Sequence, residues 1–114
     1  MNSWITWAVL AAAVLVLPRL LARKAAPALV RERLSSGAAV LDVRSASEFQ
    51  GGAFPGATHI PLAELSARLA RLRRDRPLVV YCASGMRSAA AVRLLKRAGF
   101  DAVNAGGLRD MPAA

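Results

Sequence analysis

The chain has 114 residues, with sixteen Lys and Arg against seven Asp and Glu and a formal charge of +9, which leaves room for one compact domain and favours anionic partners. Its aromatics after Trp7 are Phe49, Phe54, Tyr81 and Phe100, too few for a base-stacking platform, so no nucleic acid is expected. A single cysteine, Cys82, excludes an internal disulfide and a cysteine-rich metal site, and His59 is alone, so neither a metal nor a cofactor is expected.

From Met1 to Pro18 there is no charged side chain, and Trp4 to Leu17 reads WITWAVLAAAVLVL before Arg19, Arg23 and Lys24. A helix over residues 3 to 21 would cover ~28 Å, near the roughly 30 Å of a bilayer's hydrocarbon core. Trp4 and Trp7 would then sit in one interface and Arg19 would snorkel toward the other. A cleaved signal peptide would carry its positive charge before the apolar stretch, whereas here the charge follows it. The remaining alternative is a helix buried in the protein. The reading is therefore a transmembrane anchor with a basic flank over 1–24, then a domain over 25–114. Arg19, Arg23, Lys24, Arg31 and Arg33 all follow the apolar run, so the positive-inside bias predicts a single pass through the inner (cytoplasmic) membrane with the domain facing the cytoplasm.

Residues 25–34 (AAPALVRERL) predict a helix entered at Pro27 and stopped by Ser35, Ser36 and Gly37. Residues 39–43 (AVLDV) predict a buried strand, and residues 45–48 a short helix before a glycine-rich loop over 51–57. A brief strand at Thr58 to Ile60 ends at Pro61. Leu62, Leu65, Leu69 and Leu72 then repeat at three and four residues, which predicts one apolar stripe on a helix with a solvated arginine face. Residues 78–81 (LVVY) are the clearest strand, and residues 88–98 predict a helix capped by Gly99. A last strand over 102–104 and a turn at Gly106 and Gly107 complete an alternating order. The expectation is an α/β fold, a parallel sheet with helices on both faces, preceded by one N-terminal transmembrane helix.

In such a sheet ligands bind beyond the carboxyl ends of strands, where Cys82 falls. The loop Cys82-Ala83-Ser84-Gly85-Met86-Arg87-Ser88 offers small residues and a glycine through which backbone N–H groups can converge, with a helix N-terminus following at once. That setting, with Arg87 as a nearby cation, favours a thiolate over a thiol. Activation by field and hydrogen bonds is more economical than a Cys–His pair, although His59 could approach as a base. The bland alternative is a small buried hydrophobe at a strand end.

Leu41-Asp42-Val43-Arg44 with Glu48-Phe49, Phe54-Pro55-Gly56-Ala57, His59-Ile60-Pro61-Leu62, Tyr81 to Ser88 and Gly106-Gly107-Leu108, in that order and spacing, resemble the rhodanese family over residues 27–110. The resemblance implies a rhodanese-like single-domain sulfurtransferase in which Cys82 carries sulfur as a persulfide. Cys82 would take the outer sulfur of thiosulfate or of a persulfide donor and pass it to an acceptor thiol or protein. Ala83, Ser84, Gly85, Met86, Arg87 and Ser88 would form the substrate-binding loop, with Arg87 holding a small anionic donor. Asp42, Arg44 and Glu48 match a charge cluster near the site, either a buried ion pair that holds the loop or a direct participant. Phosphatases and arsenate reductases share the cradle but place arginine six residues after cysteine, whereas Arg87 is five after Cys82. A non-catalytic rhodanese-like binding module is the alternative from another class.

Overall fold

A computed structural model describes residues 2–21 and 23–113, and of residues 16–21 it describes the backbone alone. Helix α1 (Ser3–Leu21) has the expected bounds, and Trp4, Trp7, Val9, Val14 and Leu15 on it are exposed. Among the described residues no helix is long and apolar enough to cross a membrane. The expected snorkelling of Arg19 lies outside the described side chains.

The domain that follows runs α2 (Pro27–Ser35), β1 (Ala39–Asp42), α3 (Ala46–Gln50), β2 (Thr58–His59), β3 (Leu78–Cys82), α4 (Met86–Arg97) and β4 (Ala102–Gly107). The four strands form one parallel sheet in the order β2-β1-β3-β4. All five residues of β3 are buried, as a central parallel strand covered on both faces requires. Successive side chains of β3 alternate between two cores. Leu78, Val80 and Cys82 pack toward Ala91, Val92 and Leu95 of α4, whereas Val79 and Tyr81 pack toward Val30 of α2 and Met111. The α/β architecture with helices on both faces is thus as expected.

Three elements differ from the sequence reading. The leucine stripe is not one α-helix but two 3-10 stretches, Leu62–Glu64 and Ser66–Arg71, the second kinked at Arg68, which takes φ −120° and ψ 19°. Only Leu65 of the stripe is fully buried, and the segment closes through i to i+3 bonds that keep Leu65 and Leu69 near the core at a tighter pitch. Helix α4 starts at Met86 rather than Ser88, which puts Arg87 in its first turn. Gly106 and Gly107 are the end of β4, not a turn beyond it: a register irregularity opposite Val80 and Tyr81 lets Gly106, at φ +96°, continue the ladder.

Strands β1 and β3 are neighbours, and the chain leaves them toward opposite edges of the sheet. A crevice at the carboxyl ends of two such strands is where open α/β sheets bind ligands. Asp42 and Cys82 are the last residues of those two strands.

Candidate active site at the end of β3

The Cys82 side chain points into the core beneath α4 and is fully buried. Two backbone donors and one hydroxyl stand around its sulfur. The Gly85 N–H lies 3.0 Å away, the Ser88 N–H 3.4 Å away and the Ser88 hydroxyl 3.3 Å away. Gly85 can aim its N–H because it sits at φ +98°, a left-handed conformation that side chains resist, and from there it caps α4. Burial by itself pushes the Cys82 thiol up, but the hydrogen bonds from Ser88, Gly85 and Ser84 outweigh it and hold the thiol below its ordinary value. Hydrogen bonds at a helix entrance are what favour the thiolate here.

The loop is fixed from below by two further contacts. Asn104 on β4 accepts from the Ser88 hydroxyl at 2.7 Å and donates to the Gly85 carbonyl at 3.2 Å. Gly107 lies so close under the loop that a Cβ there would stand 2.2 Å from the Ala83 carbonyl oxygen. Ala83, Ser84 and Met86 form the exposed rim above the sulfur.

The structure separates the charge cluster into two units. Asp42 and Arg44 pair with each other, both buried, through contacts of 2.8 to 3.1 Å, and the Arg44 guanidinium also reaches the Gly52 carbonyl at 2.7 Å. Tyr81 donates to Asp42 at 2.6 Å and accepts from the Phe54 N–H at 3.0 Å, so this unit ties the ends of β1 and β3 to the glycine-rich loop. Burial pushes the Asp42 carboxyl up, but bonds from Arg44 and Tyr81 bring it below the usual carboxylate range. An ion pair that holds the loop is the part of the expectation this geometry fits.

Glu48 belongs elsewhere. It grips Arg87 in a bidentate pair of 2.6 and 2.9 Å, with the two side chains 33 and 38% exposed. Ser45 and Glu48 also form a reciprocal cap at the start of α3, which fixes the carboxylate before Arg87 meets it. The Arg87 pair, reinforced by that cap, lowers the Glu48 carboxyl to about 2. His59 does not serve as a base: its Nε2 is 2.7 Å from the Arg44 carbonyl oxygen and its ring stacks on Phe49 at 4.4 Å. Among the described residues no His, Cys, Asp or Glu cluster could hold a metal.

Sequence reasoning missed Tyr81 and Asn104 as polar partners of the site. Neither carries a local signal, because each acts across the sheet from a strand interior. The Ser45-x-x-Glu48 cap was legible as a capping-box spacing.

A family model described as the Rhodanese-like domain matches residues 26–111. The chain is 35% identical over 68 residues to the putative sulfurtransferase YtwF of Bacillus subtilis, covering 60% of this chain and 66% of that one. It is 42% identical over 73 residues to the HTH-type transcriptional regulator Rv0324 of Mycobacterium tuberculosis, covering 62% of this chain and 32% of that protein. The matches span about a third to a half of several curated relatives. Among solved structures, the human single domain sulfurtransferase TSTD1 superposes with a TM-score of 0.61 at 32% identity, over 75% of this chain and 95% of that one.

Proposed function

Because the chain belongs to the rhodanese-like domain family, we propose that it is a sulfurtransferase that carries sulfane sulfur on Cys82. The observation that carries this reading is the convergence of the Gly85 N–H, the Ser88 N–H and the Ser88 hydroxyl on one sulfur. Those donors favour the thiolate needed for attack, and they suit the negative charge of a persulfide once it has formed. The sulfurtransferase names of YtwF and TSTD1 agree with it.

In the first half-reaction the Cys82 thiolate attacks the outer sulfur of a donor. With thiosulfate the sulfur–sulfur bond of the donor breaks and sulfite leaves with the bonding pair; with a persulfide a thiolate leaves. In the second, an acceptor thiolate attacks the outer sulfur of the Cys82 persulfide, and the Cys82 thiolate is released. With one cysteine in the chain, the acceptor thiol comes from another molecule. Ala83 to Ser88 form the loop around the transferred sulfur, with Arg87 the cation nearest a bound donor.

The reading includes the membrane. The apolar run of α1 holds the domain at the inner membrane, facing the cytoplasm, supported by the exposed indoles of Trp4 and Trp7 and the basic flank that follows. Fractionation checks it: the full chain stays with membranes through high salt, and a chain lacking residues 1–24 is released and keeps its activity.

The main test is mass spectrometry of the full chain after exposure to thiosulfate and to a small-thiol persulfide. One added sulfur on Cys82 is expected, and Cys82→Ser should carry none. A non-catalytic binding module is the second reading, favoured by the complete burial of the Cys82 side chain. Absence of the adduct with every donor selects it.

A further inference from the structure

Two cations beside the cysteine loop are paired with carboxylates. On one side Arg87 is held by Glu48 through two hydrogen bonds of 2.6 and 2.9 Å. On the other, Lys24 is held by Asp110 at 2.9 Å, and Asp110 also takes the Gly107 N–H at 2.8 Å beneath the loop. Asp42 and Arg44 cancel one another in the buried unit. With the Cys82 thiolate in place, the local sum over Cys82, Arg87, Glu48, Asp42 and Arg44 is one negative charge.

A dianion approaching this loop meets a negative site, and it can use the Arg87 fork only in competition with a carboxylate that is fixed by its own cap. A sulfur carried on a thiol brings at most one charge to the reacting atoms. A hollow beside Arg87 is lined by Ser45 and by the apolar Val43, Pro61, Leu62 and Ala63, which suits an uncharged carrier better than a sulfonate. Building on the sulfurtransferase reading above, we propose that Glu48 is a specificity-determining residue that neutralises Arg87 and so selects thiol-borne persulfides over dianionic donors. Like charge set against a ligand is an efficient way to reject it, because it costs little for the ligand that lacks the charge.

The experiment compares second-order rates of Cys82 persulfidation by thiosulfate and by the persulfide of 2-mercaptoethanol, in the full chain and in Glu48→Gln. The wild type is expected to prefer the persulfide. Glu48→Gln should raise the rate with thiosulfate relative to the persulfide by about tenfold, the size of one partly screened charge contact. Glu48→Asp keeps the charge and should keep the wild-type preference. Should Glu48→Gln fail to fold, the wild type alone still decides, since added neutral salt must raise the thiosulfate rate by clearly more than the persulfide rate. Equal change with both donors in Glu48→Gln, a loss confined to thiosulfate, or an equal shift in Glu48→Asp would overturn the assignment. Absence of any adduct on wild-type Cys82 with both donors would instead overturn the sulfurtransferase reading itself.

Discussion

The Ser88 hydroxyl lies 3.3 Å from the Cys82 sulfur while it donates to Asn104 at 2.7 Å. In the thiol form the sulfur can donate to Ser88; in the thiolate form the hydroxyl must turn toward sulfur and leave Asn104 with the Gly106 N–H at 2.9 Å. Among the described residues Ser88 is thus the side chain that answers the protonation state of Cys82 directly. Removing the hydroxyl in Ser88→Ala takes away the largest of the hydrogen-bond effects that hold the thiol down. The expected result is an alkylation midpoint that moves toward higher pH and a rate at neutral pH lower by about tenfold or more, the worth of one hydrogen bond to a charged group. An unchanged pH profile would show that the backbone N–H groups alone set the thiolate.

Tyr81 supports the site from the opposite face of β3. Its hydroxyl, buried, bridges Asp42 at 2.6 Å and the Phe54 N–H at 3.0 Å. In Tyr81→Phe one carboxylate lone pair and one backbone N–H lose their partner, a penalty of about 1–3 kcal/mol each where water cannot reach. The expected outcome is a lower midpoint of urea unfolding with the Cys82 alkylation profile unchanged, since Cys82 faces the other core. A shift in that profile would mean that the Asp42 unit acts on the thiol as well as on the loop.

These two sites differ in how far the sequence revealed them. Cys82, its glycine and its helix entrance lie within seven residues, so the order strand, loop, helix carried their roles. The pairs that tune the loop join residues 39 apart, Glu48 with Arg87 and Tyr81 with Asp42, and no local pattern encodes such a meeting. The leucine stripe misled in a different manner: spacings of three and four residues fit an α-helix, yet the segment folds as two 3-10 stretches around the buried Leu65. Gly106 and Gly107 read as a turn because glycine pairs usually mark one, yet the first extends the ladder and the second clears space for the loop.

Gly107 is the most demanding position under the loop. A methyl group there would stand 2.2 Å from the Ala83 carbonyl oxygen and 3.0 Å from its carbon, and both atoms belong to backbone that cannot swing aside. Gly107→Ala must therefore lift the start of the cysteine loop or shift the end of β4. Overpacking of this kind costs about 1–3 kcal/mol, and the displaced loop should lose the Gly85 aim at sulfur. Persulfide formation is expected to fall by tenfold or more, by the loss of a charge-assisted bond of about 1.5–3 kcal/mol. Wild-type rates and stability in this variant would show that the loop has room to spare.

The Glu48–Arg87 pair also gives the fold a defined acid response. The folded carboxyl sits at about 2, below its ordinary 4.5, so the folded state binds this proton less readily than the unfolded chain. Stabilisation from the pair is therefore complete above about pH 4.5, declines as the pH falls through that window and is gone below about 2. Asp42, Asp75 and Asp110 are lowered as well, so the acid loss of the wild type is shared among several carboxylates. The difference between wild type and Glu48→Gln isolates one of them. Their unfolding midpoints in urea should lie apart at pH 6 and converge as the pH falls below about 4.5, and the gap at pH 6 should shrink in high salt because both side chains are partly exposed. A gap that stays constant down to the acid limit would assign the effect of the substitution to the Ser45 cap rather than to the charge on Glu48.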